Sequence, residues 1–202
     1  QKLLTFKHPD ISNVERVLFI DADVYITKHA RNPLELVNDE FWAAAKDNPY
    51  DIPDLSRAGL ELYKHCPVSN RPTFLLNTGV FIVALSCRDI MEKVFSEYEE
   101  QACYENGPFS YHLLNDKKGV VLSSEFNTLV ASYIFKYGCS LSAVLRMYDN
   151  SGFIHFVGGK WHSILFFIRW FDTTESHFAK RVVRFLGTSR FDFITAPAFK
   201  LF

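Results

Sequence analysis

The chain has 202 residues and a formal net charge of −1, with 22 Lys and Arg against 23 Asp and Glu, a balance that offers no electrostatic footprint for nucleic acid or another polyanion. Its 48% hydrophobic and 22% charged content is that of a folded globular protein and excludes a mainly disordered one. Length and an aromatic share of 16% predict one good-sized core with an appendage.

Val17 to Ile20 is a continuous apolar run, suited to a strand covered on both faces in a parallel or mixed sheet flanked by helices. It runs into Asp21-Ala22-Asp23, and two carboxylates so close together need a positive partner if they are buried. After a turn, Asn32 and Pro33 predict an N-cap and a first-turn proline for a short helix through Val37. FWAAAKD, Phe41 to Asp47, predicts a second strand. The stretch from Asn48 to Pro72 holds four of the eight prolines and predicts a long functional loop with one helical turn around Ala58 to Lys64.

TFLLNTGVFIVAL, Thr73 to Leu85, predicts either two strands separated at Asn77-Thr78-Gly79 or one bulged strand. Ser86-x-x-Asp89 resembles a capping box, and Ile90, Met91, Val94, Phe95 and Tyr98 recur at helical spacing, with Asn106-Gly107 closing the helix. A second helix is predicted from Pro108 to Gly119, a strand in VVLSSEF, a short strand in Ser151 to Gly159, and an aromatic, basic helix at the end. The four cysteines show neither CxxC nor zinc-ligand spacing, which predicts buried thiols rather than a disulfide framework.

Three readings compete for Asp21 and Asp23. At the end of a buried strand they point to the crevice where open α/β sheets bind ligands, and Mn²⁺ or Mg²⁺ with substrate phosphates would neutralise them. The haloacid dehalogenase-like phosphatases use Asp-x-Asp as nucleophile and acid, but Val24-Tyr25 replaces their usual small pair, and no Asp-Asp occurs in this chain. Helix caps and surface ion pairs are the third reading.

Five pieces, RVLFIDADVYI, NPLEL, FWAAAKD, LLNTGVFIV and IHFVGGKWH, occur in that order over residues 16–162. In that order they resemble the retaining glycosyltransferases of family 8, the glycogenin and bacterial lipopolysaccharide galactosyl- and glucosyltransferase group. The resemblance implies a GT-A-like, Rossmann-like mixed α/β sheet over residues 1–160 and a helical tail over 161–202. It implies that Asp21, Asp23 and His155 hold Mn²⁺, with Mg²⁺ as the alternative. The donor, a nucleotide diphosphate sugar such as UDP-glucose or UDP-galactose, would then lie along Asp21, Ala22, Asp23, Asn77, Thr78, Gly79, Gly158 and Lys160. Asn77 and Asp47 are the implied catalytic residues near the reacting sugar, and the implied acceptor is a saccharide or a lipid-linked saccharide.

The chain departs from the family pattern in three places. Lys160 is followed directly by Trp161 and His162, and the Gly107 to Asn115 stretch lacks Asp-Gln, so that Ser110 or Tyr111 would have to stand in. Only twenty residues precede Asp21, which predicts that the N-terminal part of the nucleotide-binding half is missing and leaves a non-catalytic carbohydrate- or protein-binding module as the alternative function. From Lys160 onward there are seven Lys and Arg against three Asp and Glu, alongside Phe166, Phe167, Trp170 and Phe171. Peripheral membrane contact and packing of the aromatics under the core are both compatible with that tail. The compartment stays open between a bacterial cytoplasm or membrane face and the Golgi lumen.

Overall fold

A computed structural model of the chain describes residues 8, 11, 13–37, 41–64, 66–101, 105–116, 118–157, 161–177 and 179–181. The chain divides into two compact units, one formed by residues up to Ala22 with Arg31–Asn127, the other by Asp23–Ala30 with the residues from Thr128 onward.

The first unit is built on a mixed sheet in the order β1-β4-β3-β5, with β1 Arg16–Ile20, β3 Trp42–Lys46, β4 Leu76–Ala84 and β5 Val120–Leu122. β4 is antiparallel to both β1 and β3, whereas β3 and β5 run parallel. β4 is the strand buried along its whole length, and β3 beside it presents three alanines, Ala43 to Ala45, all fully buried. Such small side chains leave room for the large ones of the neighbouring elements. Trp42, Phe81, Met91, Val94, Phe109 and Leu113 fill that room at 2% exposure or less, and side chains of this kind contribute roughly 1.5–3 kcal/mol each on burial.

Helices α1 Pro53–Leu60, α2 Arg88–Gln101 and α3 Asn106–Asp116 complete the unit, with α3 packed on both α2 and β4. In the second unit a smaller mixed sheet has the order β2-β7-β6, from β2 Val24–Ile26, β6 Thr128–Leu129 and β7 Phe153–His155. α5 Leu141–Asp149 packs against α4 Val130–Tyr137 and α6 His162–Thr173. The mixed α/β class expected from the sequence is the class observed.

Several elements differ from expectation for identifiable reasons. Val17 to Ile20 is half-buried and lies at one end of its sheet, pairing antiparallel with β4 alone, since an apolar run by itself does not distinguish an edge strand from a central one. Thr73 to Leu85 contains one strand, bulged as one of the two expected readings has it: from the pair Ala44–Phe81 to the pair Lys46–Leu76 β3 advances two residues and β4 five, so the extra residues fall at Asn77 to Val80. α1 starts earlier than expected, at Pro53, because the Asn48 side chain grips both the N–H and the carbonyl of Ile52 just ahead of it.

Asn106-Gly107 opens α3 rather than closing α2: a Cβ on Gly107 would meet the Leu62 carbonyl oxygen at 2.6 Å, so this glycine serves a close approach and not a helix stop. A 3₁₀ turn, Leu85–Cys87, leads into α2, which begins at Arg88. The strand in VVLSSEF ends at Leu122 and gives way to a 3₁₀ turn over Ser124–Phe126. Asn32 caps the turn at Pro33–Leu36 as expected, accepting from the Leu34 N–H at 3.1 Å. Cys66, Cys87 and Cys139 are buried, as expected, and Cys103 lies outside the described residues.

Candidate metal centre

Ile20, the last residue of β1, pairs with Val80, and the Asp21 N–H donates to the Gly79 carbonyl at 2.7 Å. The backbone of the first acid is thereby pinned to the Asn77-Thr78-Gly79 segment of β4. The second acid precedes β2. Val24 faces His155 across the antiparallel ladder, and the Phe156 N–H donates to the Asp23 carbonyl at 2.9 Å. His155 is held on its other side by β6, where it pairs with Leu129.

These two ladders bring His155 Nε2 to 3.1 Å from Asp23 Oδ1, with the imidazole buried and the Asp23 side chain 48% exposed. One oxygen of Asp21, one of Asp23 and one imidazole nitrogen of His155 lie within 4.8 Å of one another, the one such group of three among the described residues. The donor set fits a divalent cation. Two carboxylate oxygens supply the charge, the buried histidine supplies a borderline nitrogen that suits Mn²⁺ better than Mg²⁺, and the exposed carboxylate leaves coordination positions for oxygens of a second molecule.

Asn77 and Asp47 meet in the first unit. The Asn77 Nδ2 donates to Asp47 Oδ1 at 2.6 Å, while its Oδ1 accepts from the Gly79 N–H at 2.8 Å and from Asn127 Nδ2 at 2.6 Å. Asn77 is 5% exposed and Asn127 is fully buried, so these bonds form away from water, where an unmade one is costly. The amide therefore links Asp47, Gly79 and Asn127, orienting the Asp47 carboxylate and fixing the Gly79 peptide that holds Asp21. Thr78 is buried too, its hydroxyl 2.7 Å from Asn106 Oδ1. Asp47 also lines a hollow of about 50 Å³ with Asn48, Asp51, Ser56 and Thr73.

Ser110 is fully buried and accepts the Leu76 N–H at 2.8 Å, which gives it a structural bond in α3–β4 packing. Ala22 is an exposed turn residue between the two acids, and Gly158 and Lys160 lie outside the described residues. The sequence offers no motif for Asn127, suggests only a helix stop for Asn106, and does not announce a cluster in the second unit. There Asp172 on α6 accepts from Tyr25 at 2.9 Å and from Tyr148. Burial, with the Asp172 bond and charge adding to it, pushes the Tyr25 hydroxyl up to about 12 and raises Tyr148 as well, so both remain donors at ordinary pH.

No protein-family description matches the chain, and no curated protein sequence matches it significantly. Among solved structures it is similar to a glycosyltransferase involved in glycosylating the major capsid of PBCV-1, at 15% identity and TM-score 0.47, over 77% of this chain and 66% of that one. It is also similar to the galactosyltransferase LgtC in complex with donor and acceptor sugar analogs, at 18% identity and TM-score 0.47, over 97% of this chain and 67% of that one. A third similar structure is mouse xyloside xylosyltransferase 1, at 14% identity and TM-score 0.44, over 77% of this chain and 61% of that one. The chain thus spans about two thirds of the length of the first two, and likenesses this distant place it in no family.

Proposed function

We propose that this chain carries the metal-binding part of a glycosyltransferase, one that moves a hexose from a nucleotide diphosphate sugar to a hydroxyl of a saccharide or glycolipid with retention at the anomeric carbon. The observation that carries the proposal is the convergence of Asp21, Asp23 and His155, a set suited to Mn²⁺. When bound, such a cation stabilises the charge that develops on a departing diphosphate. Asp21 and Asp23, with His155 buried on β7, would hold the cation, and through it the diphosphate would be oriented. Asp47, oriented by Asn77, presents a carboxylate beside a small hollow that Asn48 and Ser56 line together with the apolar Leu55, Phe74 and Leu75. Catalysis then rests on positioning and electrostatics, with UDP-glucose or UDP-galactose as the donors to try first.

The test is Mn²⁺ titration by calorimetry together with hydrolysis of nucleotide sugars, which needs no knowledge of the acceptor. Asp23→Ala should lower Mn²⁺ affinity by at least about 100-fold, the upper range reached when only an outer partner of a ligand is lost, and abolish metal-dependent hydrolysis. Unchanged turnover in that variant sinks the proposal. A parent chain with neither metal-dependent nucleotide affinity nor turnover would instead mark a carbohydrate- or protein-binding module.

A further inference from the structure

β2 is a poor candidate to hold a metal ligand unaided. It has three residues, pairs with β7 alone, and leaves Ile26 at 49% exposure. A strand with so little apolar cover opens locally at small cost. Yet the residue just ahead of it, Asp23, makes the contact with His155 and receives the Phe156 N–H. Beyond the ladder, which Thr27 extends with bonds to the Gly152 and Ser151 carbonyls, β2 is restrained through Tyr25, whose hydroxyl donates to Asp172 Oδ2 at 2.9 Å. The other oxygen of that carboxylate accepts from Tyr148 on α5. α6 itself is anchored by Ile164, Ile168 and Phe171, all at 2% exposure or less, and Phe171 packs edge-on against Tyr148 with ring centroids 5.3 Å apart.

We infer that Asp172 is a positioning residue for the metal centre: its carboxylate, shared by two phenols, ties β2 to the α5–α6 pair and so keeps Asp23 in register with His155. The tie is charge-assisted at both ends, hence stronger and more directional than a bond between neutral groups. It reaches the candidate cation only through Tyr25 and the two residues of chain back to Asp23. As a statement about cation affinity it rests on the proposed metal site, whereas as a statement about β2 it does not.

The experiment is amide hydrogen exchange on the whole metal-free chain, followed by titration with Mn²⁺ alone, for the parent, Asp172→Asn, Tyr25→Phe and Tyr148→Phe. Asp172→Asn and Tyr25→Phe should speed exchange of the Phe156 N–H by about tenfold, the scale of one lost charge-assisted bond, while the α5 amide of Val144 keeps its parent rate. Mn²⁺ affinity should fall by a similar factor. Tyr148→Phe, which leaves the Tyr25–Asp172 bond in place, should leave Phe156 unmoved. Parent-like exchange at Phe156 in both Asp172→Asn and Tyr25→Phe overturns the inference. So does a rise shared equally by Val144 or reproduced by Tyr148→Phe, either of which would mean general loosening of the helices. If the parent chain takes up no Mn²⁺, the proposed function fails, and the exchange rates still decide what Asp172 does.

Discussion

At the scale of single residues, Asn77 shows how far a side chain's chemistry is legible before its partners are known. Its type and its place before Gly79 suggest an amide that hydrogen-bonds; the bonds themselves run to Asp47, the Gly79 N–H and Asn127. Asn127 is fifty positions away and belongs to no motif, so nothing local could announce it. Asn77→Ala removes the acceptor of the Gly79 N–H and Asn127 Nδ2 bonds and the donor to Asp47, and the expected cost is about 1–3 kcal/mol. Urea denaturation of the variant measures it, and a midpoint equal to the parent's would show that the network adds nothing. The Asp23–His155 contact was legible only through the order of five short motifs, because the distance along the chain between the two residues says nothing about a ladder that sets Val24 against His155.

At the scale of elements, local signals performed well where they were purely local. Asn32 caps its turn, β3 and β7 lie within the segments where patterning put them, and α2 has its expected body though not its expected ends. α4 and α5 were legible and passed over. Ser140 accepts the Ala143 N–H at the start of α5, and Gly138, at a φ of +78°, takes up the left-handed half of the map just after α4.

Gly119 needed the structure. A Cβ there would sit 1.9 Å from the ring of Trp42, because the segment entering β5 crosses directly over that buried indole. Gly119→Ala must therefore displace a packed side chain. The expected loss is about 1–3 kcal/mol, with a changed environment for Trp42 fluorescence; an unaltered spectrum and melting midpoint would contradict that packing.

For the molecule as a whole, charge and exposed aromatics bear on where the chain works. No helix among the described residues is long and apolar enough to cross a membrane. α6, however, exposes Phe166 at 75% and Trp170 at 40%, with Arg169 beside them, in the basic C-terminal fifth. Phe171 of the same helix is buried against Tyr148, as the packing reading expects, and we propose surface attachment only for the exposed face. The chain is expected to sediment with anionic lipid vesicles in a salt-sensitive way, at roughly 1 kcal/mol per basic residue close to the surface, and Phe166→Ser with Trp170→Ser should weaken it. Binding absent at low salt rejects attachment.

The sequence by itself determined the composition class, several of the helices and strands, and the residue types from which a cation site would be made, because turn chemistry, caps and periodicity act within a few positions. Only the tertiary structure decided the sheet orders β1-β4-β3-β5 and β2-β7-β6, the edge position of Val17 to Ile20, and the division into two units. It also decided that Asn77 is joined to Asp47 and Asn127, and that Asp172 gathers Tyr25 and Tyr148. Pairings of this kind are set by burial and hydrogen bonding between segments far apart along the chain, and no window of neighbouring residues contains both partners.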